Sequence, residues 1–358
     1  MSAGLKLYLD FVVFSFGAVV GSFLNVCVHR MPREQSVVNP PSSCPHCGQR
    51  ILWFDNIPLV SYLALRGRCR HCGARFTARY FIVELLTAVL FLAVWLRFSG
   101  WTVAIYWVLV AGLIVATFID FEHFIIPNEI TYGGVVLGLL LSALYPPLMG
   151  ADSALRSLGW SFVGMLTGGA VLMVIVELGK LLFGKRKIPL DADTKITIAD
   201  GILRVGDEEM AWPDLFYRES DAIEFHAKSL RFADQSRENV AVIVREKQLR
   251  VNDADHDLAA VGTIEATTEL IIIPREAMGL GDVKLMAAIG AFLGWRAALF
   301  TVFASSLIGG VVGLILILSR RTDWQSRIPY GPYIVVGALM WIFFGQQLVG
   351  WYMNFIRG

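Results

Sequence analysis

Two aspartates stand at the edges of apolar runs, where a carboxylate is costly unless it faces water or a partner group. Asp282 lies in the stretch Met278-Gly279-Leu280-Gly281-Asp282-Val283-Lys284, directly before the apolar run 285–293. Asp120 follows the apolar run 106–119. Two carboxylates that share one site can supply the general acid and the general base of aspartic hydrolysis. The sequence therefore makes Asp120 and Asp282 a candidate catalytic pair.

Each of these residues also has a purely structural interpretation. Asp120 can be a helix-end residue and Asp282 an N-cap, a position that Asp fills well. Glu122, two residues after Asp120, competes for the same role. Gly279 and Gly281 either mark a loop or let another backbone come close to the second carboxylate.

Four cysteines form a second chemical group, in two pairs separated by 21 residues: Cys44-Pro45-His46-Cys47 and Cys69-Arg70-His71-Cys72. Paired CxxC motifs at this spacing indicate one tetrahedral zinc ion held by four thiolates. Two disulfides are the alternative, and a cytoplasmic location disfavours them. Four thiolates leave no open position for a substrate, so the metal is expected to be structural.

The composition is that of a membrane protein. The chain has 358 residues, of which 56% are hydrophobic and only 17% charged, and its mean hydropathy is +0.59. A net charge of +1 gives no general attraction to nucleic acid, and no nucleic-acid partner is expected. The run from Leu5 to Val28 is too long for a cleavable signal peptide and should remain as the first span.

Apolar runs long enough to cross a bilayer predict seven spans, with 283–294 as a shorter eighth candidate that turns back at Gly294-Trp295. The other runs are 5–28, 81–98, 102–119, 130–148, 155–183, 297–318 and 331–356. The basic segments are 29–80, Lys185-Arg186-Lys187, and the loop with Arg320, Arg321 and Arg327. With eight spans the positive-inside rule makes all of them cytoplasmic, and places Asp120 and Asp282 at cytoplasmic helix ends.

Residues 188–275 lack long apolar runs and show strand-like alternation instead. Predicted strands at 195–198 and 202–205 flank Asp200-Gly201, a strong hairpin signal. Further predicted strands are 222–226, 229–232, 240–244, 248–251 and 269–273. The fold expected is an all-α polytopic membrane protein of about eight transmembrane helices, with a cytoplasmic zinc-binding loop and an inserted small, mainly β cytoplasmic domain. The segments are 1–28, 29–80, 81–187, 188–275 and 276–358.

Together these blocks resemble the type IV prepilin peptidases, membrane aspartic peptidases of the GxGD type. Besides the paired CxxC loop and the two aspartate motifs, the matching blocks are Gly21-Ser22-Phe23-Leu24-Asn25-Val26, His29-Arg30-Met31-Pro32, Arg79-Tyr80 with Glu84, Ile126-Pro127-Asn128, and Ile328-Pro329-Tyr330-Gly331-Pro332. The resemblance covers nearly everything except 188–275. In the family a short loop usually joins span five to the GxGD motif, so this insertion is a departure.

The resemblance implies two activities in one protein of the bacterial inner membrane. The first is cleavage of the basic leader of a type IV prepilin or pseudopilin at the cytoplasmic face, with Asp120 and Asp282 as the catalytic pair. The second is N-methylation of the new amino terminus with S-adenosylmethionine. Zinc would be held by Cys44, Cys47, Cys69 and Cys72. No Gly-rich nucleotide turn marks the methyl-donor site. The candidates for that site are Glu84, Arg79 and the Asn25 region.

Other functions fit parts of the sequence. A related GxGD protease acting on another leader would lack methyl transfer, and a presenilin-like protease would lack the CxxC pairs. A proton-coupled transporter would show repeated broken helices, and no such duplication is visible. A scaffold derived from a peptidase would need no aspartates and would use the insertion to dock pilus or secretion assembly proteins.

Overall fold

The computed structural model describes residues 2–191, 194–206, 208–212, 215–216, 221–233, 235–274, 279–319 and 329–357. The predicted basic loop with Arg320, Arg321 and Arg327, and the start of the last sequence block at Ile328, lie outside these ranges. The chain divides into two compact units, one of Met1–Met173 with Gly279–Gly358 and the other of Val174–Met278. The first unit is helical and the second is built on a β-sheet.

Six of the described helices are long and apolar enough to cross a membrane, in agreement with a multi-pass protein. The helices in chain order are α1 (Ala3–Arg30), α2 (Val60–Ala64), α3 (Arg79–Arg97), α4 (Trp101–His123), α5 (Asn128–Leu144), α6 (Ala154–Phe183), α7 (Leu258–Val261), α8 (Leu280–Leu318) and α9 (Gly331–Arg357). Helix α5 is apolar but shorter, with 17 residues. Side chains of α1, α3, α4 and α9 share one core, which includes Val28, Phe91, Ile114 and Ile119.

Helix α8 consists of two helical arms, 280–293 and 295–318, joined at Gly294. This glycine has φ 80° and ψ 174°, a conformation that breaks the helix. The first arm begins with Gly281 packed on Ile126. In the second arm Ser305 is hydrogen-bonded to the Tyr330 hydroxyl at 2.9 Å, directly before Gly331, which also approaches Ile126. Both arms therefore reach the region around Ile126, which fits a reversal of the chain at Gly294-Trp295. The count of eight membrane crossings stays a prediction.

Helix pairs in the first unit approach closely at glycines spaced four residues apart. In α1, a Cβ on Gly21 would lie 2.7 Å from the Glu84 Cα, and one on Gly17 would lie 2.7 Å from the Ala88 Cα. In α6, a Cβ on Gly164 would lie 2.2 Å from the Gly290 carbonyl oxygen. Without water to drive apolar association, such small-residue contacts are a main source of helix packing in membranes. These GxxxG spacings were not among the features predicted from the sequence.

The Gly164 contact can be tested with a matched glycine on the same helix. Gly164→Ala should lower Tm by about 5 °C, because the added methyl group forces α6 away from the first arm of α8. Gly159→Ala is the control, since a Cβ there meets nothing within 4 Å and alanine is the better helix former. Thermal unfolding in detergent measures both. Equal Tm values for the two variants would show that the close contact does not contribute to stability.

The second unit contains a ten-stranded sheet whose pairings are all antiparallel. Its strands are β1 (Lys185–Pro189), β2 (Lys195–Ala199), β3 (Ile202–Val205), β4 (Glu208–Ala211), β5 (Ile223–Phe232), β6 (Gln235–Val244), β7 (Gln248–Val251), β8 (Ala254–Asp257), β9 (Ile264–Thr267) and β10 (Leu270–Pro274). The order is β4-β3-β2-β9-β5-β6-β7-β8, and β10 pairs with β5 and β1. The expectation of a separate β domain is therefore confirmed.

The Asp200-Gly201 hairpin forms as predicted, with φ values of 50° and 73° at its two turn residues. The two strands predicted at 222–226 and 229–232 are wrong as separate elements, because they form the single strand β5. Buried side chains alternate along β5 up to Ala227, and the alternation then skips one residue and resumes at Leu230. On the paired strand β6, Asn239 lies at the same point and has a left-handed φ of 56°. This change of phase is why the sequence suggests two strands.

The basic segment Lys185-Arg186-Lys187 begins a strand rather than extending the fifth span. It forms the start of β1, which pairs along its length with β10, with Lys185 opposite Pro274. Charged residues with no alternation gave no strand signal in this segment. The pairing also brings the two ends of the sheet domain side by side.

Candidate active site and metal centre

Asp120 is a buried carboxylate that connects two helices. It lies in the last turn of α4, whose C-cap Phe124 has the left-handed conformation, and only 5% of it is exposed. Its Oδ2 accepts the backbone N–H of Gly331, the first residue of α9, at 2.9 Å. The N-terminus of a helix carries partial positive charge and unsatisfied N–H groups. Asp120 therefore supplies a cap to α9 from a helix remote in sequence.

The space beside Asp120 is too small for any residue other than glycine at position 331. A Cβ at this position would lie 2.7 Å from the Asp120 Oδ2 and 3.3 Å from the Ile126 Cδ1. Any larger residue would displace the carboxylate or the start of α9. The Gly331-Pro332 pair in the last sequence block thus has a physical reason, because proline is favoured in the first turn of a helix.

Asp282 occupies the first turn of α8 and is 8% exposed. The N-cap of this helix is Gly279, which accepts the Asp282 N–H at 3.2 Å. The interpretation of Asp282 as an N-cap is therefore incorrect. Gly281 lies against Ile126, where a Cβ would be 3.2 Å from the Ile126 Cβ. This glycine allows the backbone beside Asp282 to approach the segment that follows α4.

Ile126 is the common neighbour that brings the two aspartates into one region of the first unit. It contacts Gly281, the residue before Asp282, and it contacts Gly331, which is hydrogen-bonded to Asp120. Asp120 lies beside the N-terminus of α9 and Asp282 lies in the first turn of α8, where the helix dipole favours negative charge. Both carboxylates are also largely removed from water, at 5% and 8% exposed. The structure thus places two buried carboxylates in one region of the first unit.

The other charged residues near these motifs have separate partners. Glu122, the competitor of Asp120, forms an ion pair with Arg79 of α3. Lys284 donates a hydrogen bond to the Asn128 Oδ1 at 2.9 Å and lies over the Tyr132 ring, 4.9 Å from its centroid. These contacts connect α3 to α4 and α8 to α5. The structure therefore distinguishes buried Asp120 from the ion-paired Glu122.

The four predicted cysteines converge on one metal-sized site. Their sulfur atoms all lie within 4.8 Å of one another, and the Sγ atoms of Cys44 and Cys72 are 3.8 Å apart. Tetrahedral thiolates around zinc, with a Zn–S bond of about 2.3 Å, would have sulfurs about 3.8 Å apart. All four thiols are free. The donor set fits a structural zinc ion, and His46 and His71 are not part of it.

Each CxxC pair sits in the same kind of tight turn. Gly48 and Gly73, which follow the second cysteine of each pair, have φ values of 69° and 71°. Their N–H groups donate to the carbonyl oxygens of Cys44 and Cys69, respectively. The N–H groups of Cys72 and His71 lower the pKa of the Cys69 thiol to about 6. These N–H groups favour the charged form of Cys69, and the thiolate is the form that binds zinc.

The second cysteine turn is attached to the preceding segment by an ion pair. Arg70 donates from Nε and Nη2 to both oxygens of Asp55, at 2.6 to 3.0 Å. Hydrogen bonding from Arg70 lowers the pKa of Asp55. Bidentate Arg–carboxylate pairs are directional as well as strong. This ion pair fixes the orientation of the second cysteine turn relative to residues 53–56.

The same loop covers a pocket of about 310 Å³ between α1 and α3. Glu84, 8% exposed, lines it and accepts the Leu59 N–H at 2.7 Å. Asn25, 3% exposed, also lines it and donates to the Tyr80 carbonyl at 3.0 Å. Of the three donor-site candidates named from the sequence, Glu84 and Asn25 face this pocket. Arg79 does not line it and instead pairs with Glu122.

Comparison with known proteins gives matches over most of the chain. The family "Bacterial Peptidase A24 N-terminal domain" matches residues 15–98, and the "Type IV leader peptidase family" matches 107–202 and 251–314. The residues between the two parts of the second match, 203–250, belong to the β unit. No solved structure matches the chain.

Curated relatives named "Prepilin leader peptidase/N-methyltransferase" align with most of the chain. The protein from Aeromonas hydrophila is 30% identical, over 99% of this chain and 98% of its own length. The relative from Myxococcus xanthus is 33% identical over 90% of this chain and 69% of its own. The relative from Pseudomonas aeruginosa is 26% identical over 95% and 91%, respectively.

The metal centre can be tested by direct metal analysis. The purified chain should contain about one zinc ion, and Cys44→Ser should lose it, because one of four thiolates is removed. Cys27→Ser is the matched control, since Cys27 lies in α1 outside the sulfur cluster. Inductively coupled plasma mass spectrometry gives the zinc content of each protein. Unchanged zinc in the Cys44 variant would rule out the site.

Proposed function

The chain belongs to the type IV leader peptidase family, and from this premise we propose that Asp120 and Asp282 are its catalytic pair. The supporting observation is that both carboxylates are buried, and that Gly281, the residue before Asp282, and Gly331, whose N–H binds Asp120, both lie against Ile126. The chain is an enzyme of the membrane, and its reactions are removal of a prepilin leader and N-methylation of the amino terminus that cleavage creates.

In the hydrolytic step the ionised member of the pair accepts a proton from a water molecule as that water attacks the scissile carbonyl. The protonated member donates its proton to the carbonyl oxygen, which gives a tetrahedral intermediate. As the C–N bond breaks, the member that took the proton from water passes it to the leaving amine, and the other member regains a proton from a hydroxyl group of the intermediate. Two nearby carboxyl groups hold one proton between them more easily than they both ionise. The hydrogen bond from Gly331 keeps the Asp120 carboxylate in position during these transfers.

The site is proposed to face the cytoplasm from the bacterial inner membrane, where a prepilin or pseudopilin presents its basic leader. The positive-inside rule supports this side, because residues 29–80 carry eight arginines and two acidic residues. Zinc held by Cys44, Cys47, Cys69 and Cys72 is proposed to stabilise this loop. S-adenosylmethionine, when bound, supplies the methyl group of the second reaction.

A related GxGD protease without methyl transfer is the second candidate function. The cysteine cluster and the match to the A24 N-terminal domain over residues 15–98 disfavour it. The names of the relatives that align over nearly the whole chain also include N-methyltransferase. The bifunctional enzyme is therefore the better interpretation.

Substitution of the aspartates tests the catalytic pair. Asp120→Asn and Asp282→Asn should each lower kcat/KM for prepilin cleavage by about 10³-fold or more, because asparagine can neither donate nor accept the transferred proton. Asp152→Asn, at a fully exposed position, is the matched control. Cleavage is followed by gel shift of a purified prepilin, with Tm as a check of folding. A folded variant of either aspartate that cleaves at the normal rate would disprove the pair.

The β unit can be removed to test whether cleavage needs it. Because Lys185 lies opposite Pro274 in the sheet, residues 186–273 can be replaced by a three-residue linker. We expect cleavage of a detergent-solubilised prepilin within about threefold of the full chain, since both aspartates lie in the other unit. Complete loss of cleavage in a folded deletion protein would mean that the insertion is part of the active site.

A further inference from the structure

The pocket between α1, α3 and the zinc-binding loop has the chemistry of a nucleoside site. Resting on the proposed methyl transfer, we infer that it binds S-adenosylmethionine, with the acceptor peptide in the groove beside it. The pocket holds about 310 Å³ and lies within the segment that matches the A24 N-terminal domain. Neither Asp120 nor Asp282 lines it, so the two reactions have separate sites.

Glu84 is placed to bind the ribose of the donor. Its Oε2 accepts the Leu59 N–H, and Ser22 lies beside the same carboxylate. A carboxylate offers about four lone-pair positions, so it can accept further hydrogen bonds from a ligand. Acidic side chains bind ribose hydroxyls in dinucleotide sites for the same reason. A carboxylate buried in a span and open to a pocket indicates a functional site.

The side-chain oxygen of Asn25 is a second polar group that a ligand could reach. Its Nδ2 is committed to the carbonyl oxygens of Gly21 and Tyr80. Its Oδ1 is buried and has no hydrogen-bond partner among the described residues. An unsatisfied buried acceptor costs free energy unless a ligand or water donates to it. The adenine amino group and the α-ammonium group of the donor are both suitable hydrogen-bond donors.

Aromatic residues supply the remaining wall. Tyr62, Phe76 and Tyr80 line the pocket, and Gly67 lies against the Tyr62 ring, where a Cβ would be 2.8 Å from its Cζ. Such rings can stack on adenine or face the positive sulfonium. These rings lie in the same pocket as the polar groups of Asn25 and Glu84, and a concave site that combines apolar surface with placed polar groups is typical of cofactor binding.

A groove of about 670 Å³ adjoins the pocket and shares Ser22, Arg30 and Ile57 with it. Its other walls are mainly apolar and include Phe23 of α1 and Trp53, which is 80% exposed. Methyl transfer forms an N–CH₃ bond while the S–CH₃ electron pair returns to sulfur, and the amine loses a proton to solvent. The amine must therefore reach the donor from an adjoining space. An apolar groove beside α1 suits the amino end of a hydrophobic pilin helix.

Binding of S-adenosylhomocysteine to the full-length protein in detergent tests the donor pocket without turnover. Glu84→Gln should raise its Kd about tenfold, because glutamine can still accept the Leu59 N–H but lacks the charge that strengthens bonds to ribose. Ile51→Trp should raise it more, because the larger ring fills the pocket that Ile51 lines. Matched controls are Glu238→Gln in β6 and Ile82→Trp on the exposed side of α3. Isothermal titration calorimetry measures each Kd.

The outcomes separate this inference from the function on which it rests. A wild-type chain that neither binds S-adenosylhomocysteine nor transfers labelled methyl groups would overturn methyl transfer itself. A wild type that binds, with both pocket variants binding equally well, would leave the function standing and reject the pocket. If only Ile51→Trp weakens binding, the pocket is supported and the ribose role of Glu84 is rejected.

The groove has its own test. Trp53→Ala should raise KM for a pilin-derived peptide in the methylation assay about tenfold, with the Kd for S-adenosylhomocysteine unchanged, because Trp53 lines the groove and not the donor pocket. Trp101→Ala, which removes another exposed tryptophan, is the control. An unchanged peptide KM in the Trp53 variant would place the acceptor elsewhere.

Discussion

The hydrogen bond from the Gly331 N–H to the Asp120 carboxylate is the interaction on which the acidic site depends. Burial of a carboxylate costs several kcal/mol unless polar groups compensate it. Here the start of α9 provides the compensation, and Asp120 in turn satisfies an N–H that has no partner within its own helix. The bond fixes α4 relative to α9, and Ile126 then fixes both relative to the start of α8.

The segment before α3 depends on a different constraint. The sequence between α1 and α3 contains only short helical pieces, so it has little regular structure of its own. Two matching cysteine turns, joined at one metal-sized site and held to residues 53–56 by the Asp55–Arg70 pair, give it a defined shape. That shape forms one wall of the pocket whose other walls belong to α1 and α3. A metal ion bound by the four cysteines would therefore stabilise the wall of this pocket without lining it.

The inserted sheet is organised independently of both sites. Its first and last strands pair with each other, so the chain enters and leaves the sheet at adjacent points. An insertion of this geometry can be accommodated with little change to the helices that precede and follow it. Its core is formed by its own strands, through residues such as Leu203, Leu230 and Val242.

The sequence alone determined the features that depend on local composition and spacing. Apolar runs predicted the long helices, paired CxxC motifs predicted the cysteine cluster, and Asp200-Gly201 predicted a hairpin, because each signal is contained in a few neighbouring residues. Only the tertiary structure decided the features that join distant segments. It showed that Glu122 pairs with Arg79 while Asp120 caps α9. It also showed that Lys185 begins a strand, because its partner Pro274 lies far along the chain and leaves no local pattern. Glu84 and Asn25 could be named from the sequence, but the pocket they share exists only after α1, α3 and the metal loop pack together.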